Sequence, residues 1–203
     1  MTDARPSVVR VTGTSDKCDV SVSGSGFVYA PQHVMTNAHV VAGITAPEVQ
    51  VRASQPLLPA TVVYFDPEVD IAVLYVPELK APELTFASAA AESGDDAVVA
   101  GFPEGGPYDS VPARVRDAIT ARGDDVYGKS GVEREVYSFR GNVRHGNSGG
   151  PLLTTRGDVL GMVFASGTDK TGYALTAEQL GVASARALRS DEPVSTGSCR
   201  IDE

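Results

Sequence analysis

The chain has 203 residues, of which 42% are hydrophobic and 21% charged, with 21 Gly, 13 Pro and a formal net charge of −9. That length and apolar content suit one compact unit of about two small subdomains built around a real core. Only 17 Lys and Arg stand against 26 Asp and Glu, which excludes nucleic acid as the expected partner, because a phosphate backbone needs clustered cations to displace its counterions. No run approaches the 18 or more consecutive apolar residues of a membrane helix, and Met1 to Pro6 is too polar for a signal peptide. The chain as given therefore reads as soluble.

In chain order, residues 7 to 22 alternate apolar and polar before the turn at Gly24-Ser25-Gly26, and Phe27 to Tyr29 with Val34 to Thr36 read as a hairpin whose tip is Pro31-Gln32-His33. His39 opens a short helical turn that Gly43 stops. Apolar runs such as Val62 to Phe65, Ile71 to Val76 and Val159 to Phe164 are bounded by Gly, Pro and Asp, which predicts many short strands and an all-β fold. Ala87 to Asp96, rich in Ala, Ser and Asp, is the expected connection between subdomains. Beyond it, Pro103 to Asp109 and Gly123 to Gly131 form turn-rich loops. Thr176 and Gln179 are placed as a capping box for a terminal helix with Leu180, Ala183, Ala187 and Leu188 on one face.

The chemistry concentrates in three places: Thr36-Asn37-Ala38-His39, Asp70-Ile71-Ala72-Val73-Leu74 and Gly146-Asn147-Ser148-Gly149-Gly150-Pro151. A serine hydroxyl is a poor nucleophile at neutral pH, so it needs a neutral imidazole within reach and a carboxylate to hold that imidazole in one tautomer. The expected catalytic set is His39 as base, Asp70 as orienting acid and Ser148 as nucleophile. Gly146-x-Ser148-x-Gly150 also matches the elbow of α/β-hydrolases, but those run Ser, acid, His. The only histidines, His33, His39 and His145, all precede Ser148. A subtilisin-like order would place the acid before His39, where only Asp3, Asp16 and Asp19 stand, in a segment without strand and helix alternation. Asp66, followed by Pro67, is a rival acid that reads better as a turn residue. His145 reads as a side chain at the rim of a pocket and His33 as a turn residue. Neither has a second ligand at metal spacing, so no metal and no cofactor is expected.

Together with Gly24-Ser25-Gly26-Phe27 and Gly172-Tyr173-Ala174-Leu175, these motifs resemble the trypsin-like serine proteases of the HtrA (Deg) type over roughly residues 20 to 180. The flanking cysteines make the chain similar to the protease domains of actinobacterial membrane-anchored periplasmic acid-resistance proteases. The resemblance implies two six-stranded antiparallel β-barrels of the chymotrypsin type with a short C-terminal helix. The first, residues 1–95, would carry His and Asp. The second, residues 96–203, would carry Ser, the helix and a tail. It implies a serine endopeptidase of extracytoplasmic polypeptides with a part in envelope stress or acid resistance, anchored to a membrane through a segment absent from this chain. A catalytically weak binding module and an acyl hydrolase on non-peptide esters are the competing functions.

Gly146 and Gly149 let backbone N–H groups converge without steric cost. The N–H groups of Gly146 and Ser148 are accordingly expected to form an oxyanion hole, worth about 3–4 kcal/mol per donor. Asn147 cannot pair with a newly cut N-terminus as an aspartate before the serine does in digestive relatives. By resemblance, Asn142 to His145 and the strand Val163-Phe164-Ala165-Ser166 wall the specificity pocket, with Phe164 as a floor and a small or medium apolar side chain as the preferred occupant. Arg134, Arg140 and Arg144 read as a solvated face.

Cys18 and Cys199 are the only cysteines. Because domain termini often lie close together, they are expected to pair. A loop of nearly the whole chain would stabilise by about 5 kcal/mol on the chain-entropy model, and such a bond persists only in an oxidising compartment.

Overall fold

The computed structural model describes residues 4–15 and 20–199. It is mostly β, with two antiparallel sheets and one C-terminal helix. The first sheet contains β1 (Val8–Ser15), β2 (Val20–Ala30), β3 (His33–Thr36), β4 (Ala46–Gln50), β5 (Leu58–Pro59), β6 (Thr61–Asp66) and β7 (Ile71–Tyr75), in the spatial order β5-β4-β1-β2-β3-β7-β6. Seven strands stand where six were expected, and the reason is local. Only Ala60 separates β5 from β6, and its N–H bonds the Pro47 carbonyl at 2.9 Å. The segment from Leu58 to Asp66 thus pairs with β4 at one end and β7 at the other, and brings the two edges of the sheet together.

The second sheet is a closed barrel of β8 (Asp96–Gly101), β9 (Asp109–Asp124), β10 (Ser130–Gly141), β11 (Pro151–Thr154), β12 (Val159–Ser166) and β13 (Thr171–Thr176), in the order β10-β13-β12-β11-β8-β9. Each sheet has its own interior. Val9, Val11, Val28, Val34, Val49 and Leu74 fill the first; Val99, Tyr137, Phe139, Leu152 and Val163 fill the second. A third cluster lies between them, where Phe27, Met35 and Val73 of one sheet meet Phe102, Met162 and Leu175 of the other. The cleft opens along that seam. The connection after β7 is stitched to both sides, with Leu84 N–H on Val28 O at 2.8 Å and Ala87 N–H on Val159 O at 2.9 Å.

The terminal helix α2 (Ala177–Ala187) is capped by Thr176, whose Oγ1 accepts the Gln179 N–H at 3.2 Å. The capping box is only half made, because the Gln179 side chain accepts from Glu135 N–H at 3.0 Å rather than turning back to its own N-terminus. Leu180, Ala183 and Ala187 are buried as the periodicity requires, whereas Leu188 follows the last helical residue and is 44% exposed. The chain after α2 returns over the first sheet, where Val194 N–H bonds Val62 O at 2.9 Å and Gly43 N–H bonds Thr196 O at 3.0 Å. Cys199 is held in a disulfide, and Cys18 lies outside the described residues. Among the described residues no helix is long and apolar enough to cross a membrane.

Truncating Leu180 to Ala should lower the unfolding free energy by about 2–5 kcal/mol, whereas Leu188→Ala should stay within about 0.5 kcal/mol of the parent. Urea midpoints at constant slope measure both, and equal losses would mean that the helix is not seated as described.

Candidate active site

His39 sits on a one-turn helix α1 (Ala38–Val41) immediately after β3, and Asp70 precedes β7, the strand paired with β3. Strand pairing therefore brings 31 residues of chain into one contact. Asp70 Oδ2 lies 2.7 Å from His39 Nδ1, and Oδ1 accepts the His39 backbone N–H at 2.8 Å. An ionised carboxylate can only accept, so the arrangement puts a proton on Nδ1 and leaves Nε2 with a free lone pair. Side-chain exposure is 17% for His39 and 7% for Asp70, enough to keep the imidazole edge on the cleft.

Asp70 has φ of 69°, a left-handed conformation unusual outside glycine but tolerated by Asp. Its neighbours hold it there. Asp70 N–H bonds the Asp66 carbonyl at 3.0 Å, and buried Asn37 donates to the Asp70 carbonyl at 2.9 Å. The rival Asp66 is a turn residue as read: Oδ1 caps the N–H groups of Glu68 and Val69, both at 3.1 Å.

Ser148 lies in the loop between β10 and β11, half-buried, and lines the same cleft as His39 and Asp70. Its hydroxyl makes no hydrogen bond among the described residues. The turn before it is well determined. Asn147 N–H bonds the Arg144 carbonyl at 3.0 Å, Asn147 Oδ1 accepts Arg144 N–H at 2.9 Å, and Gly146 has φ of 86°. A Cβ at Gly146 would stand 2.4 Å from the Phe102 carbonyl, so no other residue fits.

Among the described residues the N–H groups of Gly146 and Ser148 have no protein acceptor. Their directions follow from the carbonyls of the same peptides, since the C=O and N–H of a trans peptide point opposite ways. The His145 carbonyl accepts from Glu104 N–H at 2.6 Å and the Asn147 carbonyl from Gly150 N–H at 2.9 Å. Both partner N–H groups are thereby turned away from those anchors.

The cleft has a volume of about 810 Å³ and takes in Val143, Arg144, His145, Phe164, Ala165 and Ser166. Exposed Asn142 does not line it. Asp124, Asp125 and Val126, from the turn joining β9 to β10, line it as well, a contribution that no motif signals.

The trypsin-like peptidase domain family matches residues 24–162, which is more than half of the chain. This chain belongs to that family. It is 45% identical to the serine protease Rv3671c of Mycobacterium tuberculosis over 197 residues, covering 96% of this chain and 49% of the relative. The chain thus spans about half the length of that curated protein. The crystal structure of the Rv3671c protease in its active form superposes with a TM-score of 0.93 at 44% identity, covering 98% of this chain and 87% of that one. The inactive form gives 0.80 at the same identity, covering 90% and 89%.

Three residues were read otherwise from sequence: Arg134, Arg144 and His33. Arg134 is 7% exposed rather than solvated: Nη2 donates to the carbonyls of Glu68 at 2.5 Å and Asp124 at 2.9 Å, Nε donates to Val69 O at 3.2 Å, and the guanidinium stands 5.9 Å from the Phe164 ring centre. It thus ties the second barrel to the two carbonyls that precede Asp70. Arg144 is half-buried and paired with Asp109 at 2.8 Å, while Arg140 is exposed. His33 is buried, the first residue of β3, with Nδ1 2.7 Å from Pro31 O and Nε2 3.0 Å from Ser190 O. Exposed His145 stands on the cleft. No alternation or motif distinguishes a buried arginine from a solvated one; only the fold that carries Glu68 and Val69 to it does.

Arg134→Ala should cost at least about 2 kcal/mol of stability, since it leaves three carbonyls short of a charged donor. Denaturant unfolding tests this, with Arg140→Ala as the near-neutral control.

Proposed function

We propose that this domain is a serine endopeptidase working through an acyl-enzyme intermediate. The observation that carries this reading is the paired contact of both Asp70 oxygens with His39, on a cleft shared with Ser148. His39 Nε2 takes the Ser148 hydroxyl proton as Oγ bonds to the scissile carbonyl carbon. The developing oxyanion is received by the Gly146 and Ser148 N–H groups. The imidazolium then protonates the leaving amine as the C–N bond breaks, and a water repeats the sequence to release the acid. Asp70 stays ionised throughout, and orients the imidazole and stabilises its charged form.

The cleft runs between two barrels and suits an extended polypeptide. His145, Phe164, Ala165 and Ser166, which line the cleft, would meet the side chain next to the scissile bond. Cys199 and Cys18 are proposed as one disulfide. That bond would place the domain outside the cytoplasm, where a part in envelope stress or acid resistance and attachment to a membrane through chain outside this sequence fit the resemblance. Two free thiols, titrated in denaturant without reductant on protein from an oxidising compartment, would remove the pairing and the location together.

Ser148→Ala should abolish peptide hydrolysis and fluorophosphonate labelling, with His39→Ala nearly as severe and both variants folded, because the members act as one unit. Retention of more than about a tenth of the parent turnover by Ser148→Ala would end this reading. The parent kcat/KM should rise from acid toward neutrality with one dominant titration, because only a neutral imidazole can accept the serine proton. A profile flat from about pH 5 to pH 8, across the ordinary histidine range, would exclude a histidine base.

A further inference from the structure

Ser25 is wholly buried, at 0% exposure, on β2 of the first sheet, yet two of its polar contacts are to the turn of the second barrel that carries Ser148, and a third is to Phe102 on the support behind that turn. Its N–H donates to the Ser148 carbonyl at 2.8 Å. Its hydroxyl donates to the Gly146 carbonyl at 2.6 Å and accepts the Phe102 N–H at 2.8 Å. Its own carbonyl accepts from Thr36 Oγ1 at 2.7 Å, which fixes the residue from behind.

Space around this residue is made by glycines. A Cβ at Gly101 would lie 2.7 Å from Ser25 Oγ, and one at Gly149 would lie 2.1 Å from the Ser25 carbonyl oxygen. We propose that the Ser25 hydroxyl is a positioning residue that pins the oxyanion-binding turn to its support. This rests on the assignment of the Gly146 and Ser148 N–H groups to the oxyanion.

The geometry explains why a hydroxyl is needed. The Gly146 N–H direction is set by Glu104 N–H on the His145 carbonyl at 2.6 Å, and Glu104 belongs to the short helical turn Pro103–Gly105 that follows Phe102. Ser25 Oγ bonds both parts at once, Gly146 O on the turn and Phe102 N–H at the base of its support. Without it, two buried polar groups lose their partner, and the peptides flanking Gly146 are free to rotate relative to the support. The change reaches the hole and leaves the contact between His39 and Asp70 intact. The loss therefore falls on stabilisation of the transition state rather than on substrate binding.

The test compares Ser25→Ala with the parent for kcat, KM, affinity for a peptide boronic acid that forms a tetrahedral adduct, and affinity for a non-cleavable peptide of the same sequence. The expected result is a fall in kcat of about 10- to 1,000-fold, in the range found on removing one oxyanion donor, with a parallel fall in boronate affinity. KM, affinity for the non-cleavable peptide and the midpoint of the acid limb of the pH profile should stay within about twofold of the parent, or its equivalent in pH. A folded Ser25→Ala with parental kcat and boronate affinity would overturn the proposal, as would equal losses in boronate and peptide binding. If Ser25→Ala does not fold, Ser25→Cys carries the same comparison with a weaker donor of similar size, and parental values there would overturn it. A parent protein that neither labels with fluorophosphonate nor cleaves peptide would instead remove the enzyme reading itself, whatever the Ser25 variants do.

Discussion

The hydrogen bond from buried Ser25 N–H to the Ser148 carbonyl crosses the seam between the two barrels. The two halves of the cleft meet at that crossing. An apolar seam of Phe27, Met35, Phe102 and Met162 could slide with modest loss, since dispersion and hydrophobic contact are not directional. Buried donors and acceptors cannot, because each one left unpaired costs about 1–3 kcal/mol. Hydrophobic area supplies the attraction between the barrels. A few backbone and hydroxyl groups set the register in which they meet.

A similar division appears on the acid side of the cleft. Asp70 stands in a left-handed conformation, and strain of that kind persists only when surroundings over-determine it. Here they do so from both barrels: Asn37 and Asp66 fix the residue within the first sheet, and Arg134 reaches over from β10 to the carbonyls of Glu68 and Val69. The arginine's own charge is dispersed among three carbonyls and the face of Phe164, which lets it remain buried with no carboxylate partner among the described residues.

What could be read in the sequence was local or repeated. The all-β class follows from short apolar runs cut by Gly, Pro and Asp. His39, Asp70 and Ser148 stand out because their residue types, order and neighbours agree, and the structure gathers them on one cleft. Less legible were groups whose function is set by partners far away in the chain. Ser25 reads as the middle of a Gly-Ser-Gly turn but lies within β2, paired with β1, with Gly146 and Phe102, 121 and 77 residues further on, bonded to its hydroxyl. Gln179 fits a capping box by spacing, but Glu135 competes for its side chain. Leu188 fits the helical period but falls beyond the last turn. His33 has a turn residue's neighbours and a core residue's burial because Tyr29, Tyr75 and the returning tail close over it. In each case a tertiary contact decides what a short-range pattern leaves open.

Because the seam unites groups from both halves of the chain, the cleft exists only after the barrels have docked. A chain emerging from the ribosome would complete the sheet with His39 and Asp70 while the turn holding Ser148, and the Phe102 segment behind it, were still unmade. At that stage His39 and Asp70 stand without Ser148 and Gly146 beside them. A cleft built this way is complete only once the chain carrying Ser148 has been drawn against the sheet that holds His39 and Asp70.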